Sequence, residues 1–145
     1  MKALIQRVKR ASVTIDGALC SQIGKGLLVF LGVEKSDTTE NADKLADKIV
    51  RLRIFEDENE KMNFSLQDVS GEMLIVSQFT LCGDCKKGTR PSFDKSASHQ
   101  VANELYEYFI GKIKEYEVPV KTGVFGAMMD VELVNNGPVT FWIEK

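Results

Sequence analysis

Apolar residues in the first part of the chain follow the spacing of β-strands. Over residues 8–15 apolar and polar side chains partly alternate, and this period of two predicts a strand with one buried face. Asp16-Gly17 is typical of a tight hairpin, so we expect the chain to return as a second strand over residues 18–23. The unbroken apolar run over residues 26–33 predicts a strand covered on both faces.

Two later segments have apolar residues at helical spacing. Asp37-Thr38-Thr39-Glu40 combines a capping side chain with a Glu three residues later, which favours a helix start. The apolar positions that follow are Ala42, Leu45, Ala46, Ile49 and Val50. A longer helix is predicted over residues 96–115, and its apolar stripe is Val101, Leu105, Tyr108, Phe109 and Ile113.

The remaining apolar segments are short and predict strands. Residues 72–78 form one of them, and three more follow the long helix, over residues 118–122, 127–134 and 139–143. Several strands and two substantial helices, unevenly interleaved, favour a mixed-sheet α/β domain of the α+β kind rather than a doubly wound fold. We expect residues 1–145 to form this single domain.

Composition narrows the functional classes only slightly. The formal net charge of −2 lacks the strong basic field of many nucleic-acid binders, so tight binding to long DNA is not expected. Brief contact with one RNA end remains open. No segment is apolar and long enough to span a bilayer and the N-terminus lacks a signal-peptide pattern, so we expect a cytoplasmic protein. Three cysteines fit reduced thiols better than a disulfide framework.

Ser77-Gln78-Phe79-Thr80 follows an apolar strand, and three interpretations of it are open. A nucleophilic hydroxyl needs a base within hydrogen-bond reach, and the only histidine is His99. A Ser-His-Asp triad therefore requires His99 to lie beside Ser77 or Thr80. Alternatively, backbone N–H groups at the strand end stabilise a substrate oxyanion. In the third interpretation the hydroxyls only satisfy local backbone groups.

Asn135-Asn136-Gly137-Pro138-Val139-Thr140 also has two interpretations. Asn-Gly is a turn signal, so the pattern alone predicts a plain hairpin turn between two strands. Proline fixes a backbone dihedral and removes a donor, and an X-Pro bond can be cis. The functional interpretation is a rigid loop tip whose backbone carbonyls test the handedness of a substrate.

Two further clusters have a functional interpretation beside a simpler one. Cys82-Gly83-Asp84-Cys85 has the C-x-x-C spacing of zinc or redox sites, but only Cys20 and His99 are left to complete a zinc site, so ordinary thiols are favoured. The basic side chains Lys86, Lys87, Arg90 and Lys95, and those at the N-terminus (Lys2, Arg7, Lys9 and Arg10), suit either phosphate contact or a solvated surface.

Five segments in order along the chain carry a family resemblance. They are Met1-Lys2-Ala3-Leu4-Ile5-Gln6-Arg7-Val8, the run over residues 26–33, Ser77-Gln78-Phe79-Thr80-Leu81, Lys87-Gly88-Thr89-Arg90-Pro91-Ser92-Phe93 and Asn136-Gly137-Pro138-Val139-Thr140. At this spacing, in a chain of this length, they resemble the D-aminoacyl-tRNA deacylases, first described as D-tyrosyl-tRNA deacylases. The resemblance covers essentially the whole chain without a domain-sized insertion.

The resemblance implies a homodimer of small α/β subunits, each with a β-barrel-like sheet and two main helices. It implies an active site at the subunit interface, where the strand-end motif of one subunit meets a cis Gly-Pro motif inserted from the other. Carbonyls of that motif hold the amino group of a D-amino acid and leave no room for an L side chain. Glycine, which has no side chain, is expected to pass this filter as well.

The resemblance also assigns roles to residues. The catalytic motif is Ser77, Gln78, Phe79 and Thr80, the substrate-binding residues are Asn136, Gly137, Pro138 and Met129, and the tRNA-binding residues are Lys86, Lys87, Arg90 and Arg7. Ester hydrolysis then needs a placed water and backbone N–H groups near Phe79 and Thr80, with help from the neighbouring ribose hydroxyl of the RNA. No metal or organic cofactor, no membrane and no DNA partner is implied. The alternative is an inactive dimeric RNA-binding module of the same fold.

Overall fold

The long first strand, β1 (Lys2–Ile15), organises the sheet in this computed structural model, which describes residues 1–145. The elements that follow are β2 (Ala18–Ile23), β3 (Gly26–Gly32), α1 (Thr39–Val50), β4 (Phe55–Glu56), β5 (Met62–Phe64), β6 (Glu72–Ser77), a 3-10 helix (Phe79–Cys82), α2 (His99–Glu115), β7 (Val120–Thr122) and β8 (Asp130–Glu144). β1, β2, β3, β6, β7 and β8 belong to one sheet, and β4 and β5 form a separate two-stranded sheet.

Strand β1 is paired along both of its edges. β8 runs antiparallel along one edge, whereas β3 pairs with the first half of the other edge and β2 with the second half. β6 then adds to β3, and β7 to β6, both in parallel. The Ser21 hydroxyl of β2 donates to the Thr122 carbonyl of β7 at 2.8 Å, which draws two ends of the sheet together. The result is a nearly closed, barrel-like sheet.

Buried side chains form one core on each face of this sheet. The larger core lies between the sheet and the two helices, and the smaller one fills the inside of the curl. In β3, Leu27 and Leu31 belong to the larger core and Leu28 to the smaller; in β6, Ile75 and Val76 divide in the same way. The expectation that the apolar run over residues 26–33 is covered on both faces is therefore confirmed.

The fold class is also as predicted, a mixed-sheet α/β domain with two main helices. The N-cap of α1 is Thr38, one residue after Asp37, which was predicted to pair with Glu40. Thr38 pairs instead with Asn41, whose side-chain oxygen accepts from the Thr38 N–H at 2.9 Å. In α2 the buried stripe is Leu105, Tyr106, Phe109, Ile110 and Ile113, while Val101 is exposed. Neither helix is long and apolar enough to cross a membrane.

The predicted hairpin turn at Asn135-Asn136-Gly137-Pro138 is wrong. β8 is one continuous strand, and it pairs with β1 on both sides of this segment, from Val8↔Asn135 to Gln6↔Thr140. The extra residues are accommodated as an outward bulge, which appears as shifts in the pairing register next to Gln6 and Val8. A local turn signal was thus overridden by pairing between strands that are far apart in sequence.

Candidate active site

The motif Ser77-Gln78-Phe79-Thr80 lies where β6 ends and the 3-10 helix begins. Both faces of β6 are buried, so packing on two sides fixes the position of this end. The N–H of Gln78 donates to the Leu31 carbonyl at 2.8 Å and extends the β3–β6 ladder by one residue. The N–H of Leu81 then bonds the Gln78 carbonyl at 3.3 Å and closes the turn.

The N–H groups of Phe79 and Thr80 occupy the first positions of the 3-10 helix. The first N–H groups of a helix have no acceptor within it, because the residues that would accept from them lie before the helix starts. Neither group donates to a side chain or to a loop carbonyl of this chain. Two adjacent backbone donors on a packed strand end are thus available to a ligand oxygen, as the oxyanion interpretation requires.

A cavity of about 560 Å³ opens beside this strand end. Its volume lies in the range of sites that hold a small organic ligand, and most of its lining side chains are apolar. Ser77, Gln78, Phe79 and Met129 contribute to the lining, as predicted for the site, and the other principal walls are Ala102 and His99 from α2 and Phe125 from the segment between β7 and β8. The structure thus brings three residues of the predicted catalytic motif together with one predicted substrate-binding residue.

Thr80 lies beside the cavity rather than in its lining. Its hydroxyl accepts a hydrogen bond from the side-chain amide of Gln78. This bond holds the Gln78 side chain against the start of the 3-10 helix, so the observed role of Thr80 is to orient its neighbour.

His99 does not form a catalytic triad in this structure. Its ring packs edge-on against Phe125, with the ring centroids 4.9 Å apart, and its Nε2 lies 3.0 Å from the point where a Cβ on Gly126 would be. No hydrogen bond joins His99 to Ser77 or Thr80. The histidine is therefore a wall of the cavity, and the serine-hydrolase interpretation lacks the base that it needs.

Phe125 and its flanking glycines were not identified from the sequence. Gly123 leaves room for Met129, whose sulfur lies 2.6 Å from the position of a Cβ at residue 123. Gly126 leaves room for His99 and has a φ of +77°. The two glycines around an aromatic residue, between predicted strands, were the available signal for a tightly packed loop.

Gly137 and Pro138 form the tip of the bulge in β8, and the peptide bond between them is cis. A Cβ on Gly137 would lie 2.8 Å from the backbone nitrogen of Val139, and the φ of Gly137 is +152°. Only glycine fits this conformation and spacing without displacing the backbone. Both residues are exposed at the surface of the protein.

Two polar side chains hold the base of this tip. The Asn135 side chain accepts from the N–H of Val139 at 2.7 Å and donates to the Val139 carbonyl at 3.1 Å. These two bonds connect the two ends of the bulge. The Nε of Arg7 donates to the Asn136 carbonyl at 2.8 Å. The tip is thus fixed by bonds at both of its ends.

The structure contradicts the expectation that Arg7 contacts tRNA phosphates. Arg7 is only 3% exposed, and besides Asn136 it donates to the Ile54 carbonyl at 2.6 Å and to Glu56 at 3.0 Å. All three of its side-chain nitrogens donate to acceptors within the chain. Arg7 is therefore a positioning residue for the Gly137-Pro138 tip.

The strand-end motif and the Gly-Pro tip do not meet within one chain. Asn136, Gly137 and Pro138 are absent from the lining of the cavity, which is built from β6, α2 and the start of β8. The predicted site residues therefore form two separate surfaces of the chain, one concave and one protruding.

The predicted tRNA-binding side chains Lys86, Lys87 and Arg90 are exposed on the loop after the 3-10 helix. Lys86 and Lys87 line a polar depression of about 330 Å³. Two backbone hydrogen bonds between Asp84 and Ser92, of 2.7 and 3.0 Å, close the base of this loop. The loop therefore projects from a fixed base.

The two cysteines of the C-x-x-C segment lie in different surroundings. Cys82 is buried and donates to the Val33 carbonyl at 3.4 Å, and burial raises the pKa of its thiol. Cys85 is exposed. Because a thiol with a raised pKa is a poor source of thiolate, the redox interpretation is weakened at Cys82.

Comparison with known proteins identifies the family of this chain. The family model described as D-Tyr-tRNA(Tyr) deacylase matches residues 4–144. The chain belongs to this family. A D-aminoacyl-tRNA deacylase of Haemophilus influenzae is 61% identical over 99% of both chains, and one of Geotalea daltonii is 60% identical over 99% of this chain and 96% of its own. The chain is thus an enzyme of a family of hydrolases.

Solved structures agree with the family in fold. A c-Myc DNA unwinding element binding protein superimposes with a TM-score of 0.94 at 41% identity, over 100% of this chain and 99% of its own. A probable eukaryotic D-amino acid tRNA deacylase superimposes with a TM-score of 0.83 at 18% identity, over 99% and 98% of the two chains. At that lower identity the likeness concerns the fold alone.

Proposed function

We propose that this protein hydrolyses the ester between a D-amino acid and the terminal ribose of tRNA. The observation that carries the proposal is the apolar cavity whose edge holds the unpartnered N–H groups of Phe79 and Thr80. An ester carbonyl placed there accepts two hydrogen bonds as its oxygen becomes negative. Relatives that are about 60% identical over nearly the whole chain are named D-aminoacyl-tRNA deacylases.

The reaction needs few titrating groups. Water attacks the carbonyl carbon, the tetrahedral oxyanion is held by the Phe79 and Thr80 N–H groups, and the ester C–O bond then breaks. The free D-amino acid and the tRNA leave, and the ribose oxygen regains a proton. The neighbouring ribose hydroxyl of the RNA relays protons in place of a protein base, which agrees with the absence of a base beside Ser77 or Thr80.

Selectivity for D over L is assigned to the Gly137-Pro138 tip of a second subunit. A protruding tip and a concave cavity on each copy are complementary, and neither surface meets the other within one chain. A two-fold homodimer joins them twice, because each copy then gives its tip and receives its partner's. The rigid carbonyls hold the substrate amino group and clash with an L side chain. Glycine is accepted because it has no side chain.

Other exposed features suit the same assembly and substrate. Phe141 and Trp142 on β8 are 37% and 49% exposed, and they follow Pro138 by three and four residues along the strand. Each is an apolar side chain that a partner subunit would cover. We assign phosphate contacts at the tRNA end to the exposed cations Lys86, Lys87 and Arg90. Because the substrate is aminoacyl-tRNA, we expect the enzyme to act in the cytoplasm.

The first test compares D-tyrosyl-tRNA with L-tyrosyl-tRNA, following ester loss above the spontaneous background. The proposal expects rapid loss of the D ester while the L ester is spared. Equal loss of both would leave an esterase without a chiral filter. No loss of either, from a folded dimer, would favour the inactive RNA-binding module.

A complementation experiment tests the shared site. Phe79→Pro removes one oxyanion donor and Gly137→Ala disrupts the tip, so each variant alone is expected to be inactive. When the two are co-expressed, half of the dimers are mixed and each mixed dimer has one intact site, so about a quarter of wild-type activity returns. If the mixture stays inactive, the site is built within one subunit.

A further inference from the structure

Phe79 and Phe93 form an exposed aromatic pair at the mouth of the cavity. Their ring centroids are 5.0 Å apart with an interplanar angle of 57°, and the two side chains are 55% and 37% exposed. Aromatic rings normally contribute most when they are buried, so an exposed pair beside a ligand cavity marks a contact surface.

The pair connects the cavity to the basic loop. Phe79 lines the cavity on one side. Phe93 follows Ser92, which lines the polar depression on the other side together with Asp84 and three lysines. A ligand that leaves the cavity toward the lysines therefore passes over the two rings.

The depression is rich in cations that have no ionic partner in the chain. Lys86, Lys87 and Lys95 line it, and none of them lies within salt-bridge distance of a carboxylate. Asp84 and Asp94 also line it, so three cations face two carboxylates. The Asp84 carboxylate accepts from the Lys86 backbone N–H at 2.8 Å and not from a lysine ammonium group. The ammonium groups are thus free to meet an anion from outside.

Backbone hydrogen bonds hold Phe93 in place before any ligand binds. The Phe93 carbonyl accepts from the Ser96 N–H at 2.9 Å, and the Lys95 carbonyl accepts from the Lys35 N–H at 2.9 Å. The Phe93 ring also packs over Gly83, where a Cβ would lie 3.0 Å from its Cε1 atom. Binding therefore requires little ordering of this ring.

We propose that the Phe79–Phe93 pair is a stacking platform for the unpaired nucleotide that precedes the terminal nucleoside of the tRNA. Because the two rings are inclined by 57°, its base stacks on the Phe93 ring and meets the Phe79 ring at an angle. Lys86, Lys87 and Lys95 lie along the phosphates further from the end of the tRNA. Aromatic side chains next to a basic groove are the usual means of binding single-stranded nucleic acid without reading its sequence. This assignment rests on the proposed function, which places the terminal nucleoside in the cavity.

The test compares two substrates with one variant, Phe93→Leu. D-tyrosyl-tRNA carries the preceding nucleotides, whereas D-tyrosyl-adenosine has only the terminal nucleoside. Loss of one stacked base predicts a fall in kcat/KM of about tenfold or more on the tRNA, and a much smaller change on the adenosine ester. An equal fall on both substrates, or none on the tRNA, would overturn the platform.

Two further variants control for nonspecific effects. Phe93→Trp keeps an aromatic face and is expected to retain the activity on tRNA. Phe64→Leu removes an aromatic ring of similar exposure, 38%, from the separate two-stranded sheet β4–β5, and its activity on both substrates is expected to match wild type. Loss of tRNA activity in Phe93→Trp would show that stacking is not what Phe93 supplies.

Binding of uncharged tRNA separates this inference from the proposed function. Phe93→Leu is expected to weaken binding by about tenfold in fluorescence anisotropy, whether or not the wild type hydrolyses any ester. Lys87→Ala, which removes one phosphate contact, is expected to reduce the slope of log K against log salt by about 0.7. Unchanged affinity of Phe93→Leu would refute the platform even if the D-specific hydrolysis holds.

Discussion

The strand end at Ser77-Gln78-Phe79-Thr80 and the tip at Gly137-Pro138 are positioned by different forces. The strand end continues a parallel strand that is buried on both faces, and the groups proposed to act there are backbone N–H donors. The tip is exposed on an edge strand, and polar bonds from Arg7 and Asn135 hold its base. The first surface is therefore expected to tolerate side-chain changes, and the second to depend on single residues outside the tip.

Of the substitutions that distinguish the tip from the strand end, Gly137→Ala should cause the largest loss of activity. A Cβ would lie 2.8 Å from the Val139 nitrogen, so the tip must move, and a displacement of about 1 Å can lower the rate by about 100-fold. The measurement is kcat/KM on D-tyrosyl-tRNA. Gly17→Ala is the matched control, because Gly17 also has a positive φ, +79°, but no atom within 4 Å of the added Cβ. Near-normal activity of Gly137→Ala would mean that the tip is not part of the site.

Arg7→Lys should give an intermediate effect. Lysine keeps the charge, but its three N–H donors share one nitrogen. They cannot reach the three acceptors that Arg7 contacts with three different nitrogens, so at least one of them, such as the Asn136 carbonyl, loses its partner. We expect stability to fall by about 1–3 kcal/mol in urea unfolding, with a loss of D-ester activity of about tenfold. Arg10→Lys, an exposed residue whose Glu132 partner is 3.7 Å away, should be nearly silent. Equal effects of the two substitutions would argue against the positioning role of Arg7.

Thr80→Ala should have a small effect. The substitution removes the hydroxyl that accepts from Gln78 but keeps the backbone N–H. If the N–H is the working group, kcat/KM on D-tyrosyl-tRNA falls by less than about fivefold, far below the loss caused by removing an oxyanion donor. A loss as large as that of Phe79→Pro would instead assign catalysis to the Thr80 hydroxyl.

His99→Ala should have the smallest effect. The imidazole is a wall of the cavity, packed against Phe125, and has no hydrogen bond to Ser77 or Thr80. Activity on D-tyrosyl-tRNA is expected to stay within about twofold of wild type, whereas loss of a general base lowers rates by about 100-fold or more. A loss of that size would restore the serine-hydrolase interpretation.

The buried strands were predictable from the sequence because their signal is local. The apolar run over residues 26–33 lies between two cores, and the alternation in β1 matches one buried face. The bulge in β8 was not predictable in the same way. Asn136-Gly137 has the composition of a turn, and only pairing with β1 on both sides decides that it is a bulge.

The position of Arg7 was partly readable from the sequence. Ala3, Ile5 and Arg7 share one side of β1 by the period of two, and all three are buried. Arg7 is also one of four cations close together in the sequence, with Lys2, Lys9 and Arg10, and this cluster favoured phosphate contact over burial. Phe93 was visible only as part of the family resemblance, since its contact with Phe79 joins two segments separated by the whole basic loop.

The bulge in β8 also affects how the sheet ends. β8 pairs only with β1, so its other edge presents 15 residues of unpaired backbone, a length that would invite another chain to add a strand. Pro138 has no N–H to offer, and the bulge bends the edge at its middle. The same two residues that are assigned to chiral discrimination therefore interrupt the open edge of β8, and such an interruption disfavours the addition of a strand from another chain.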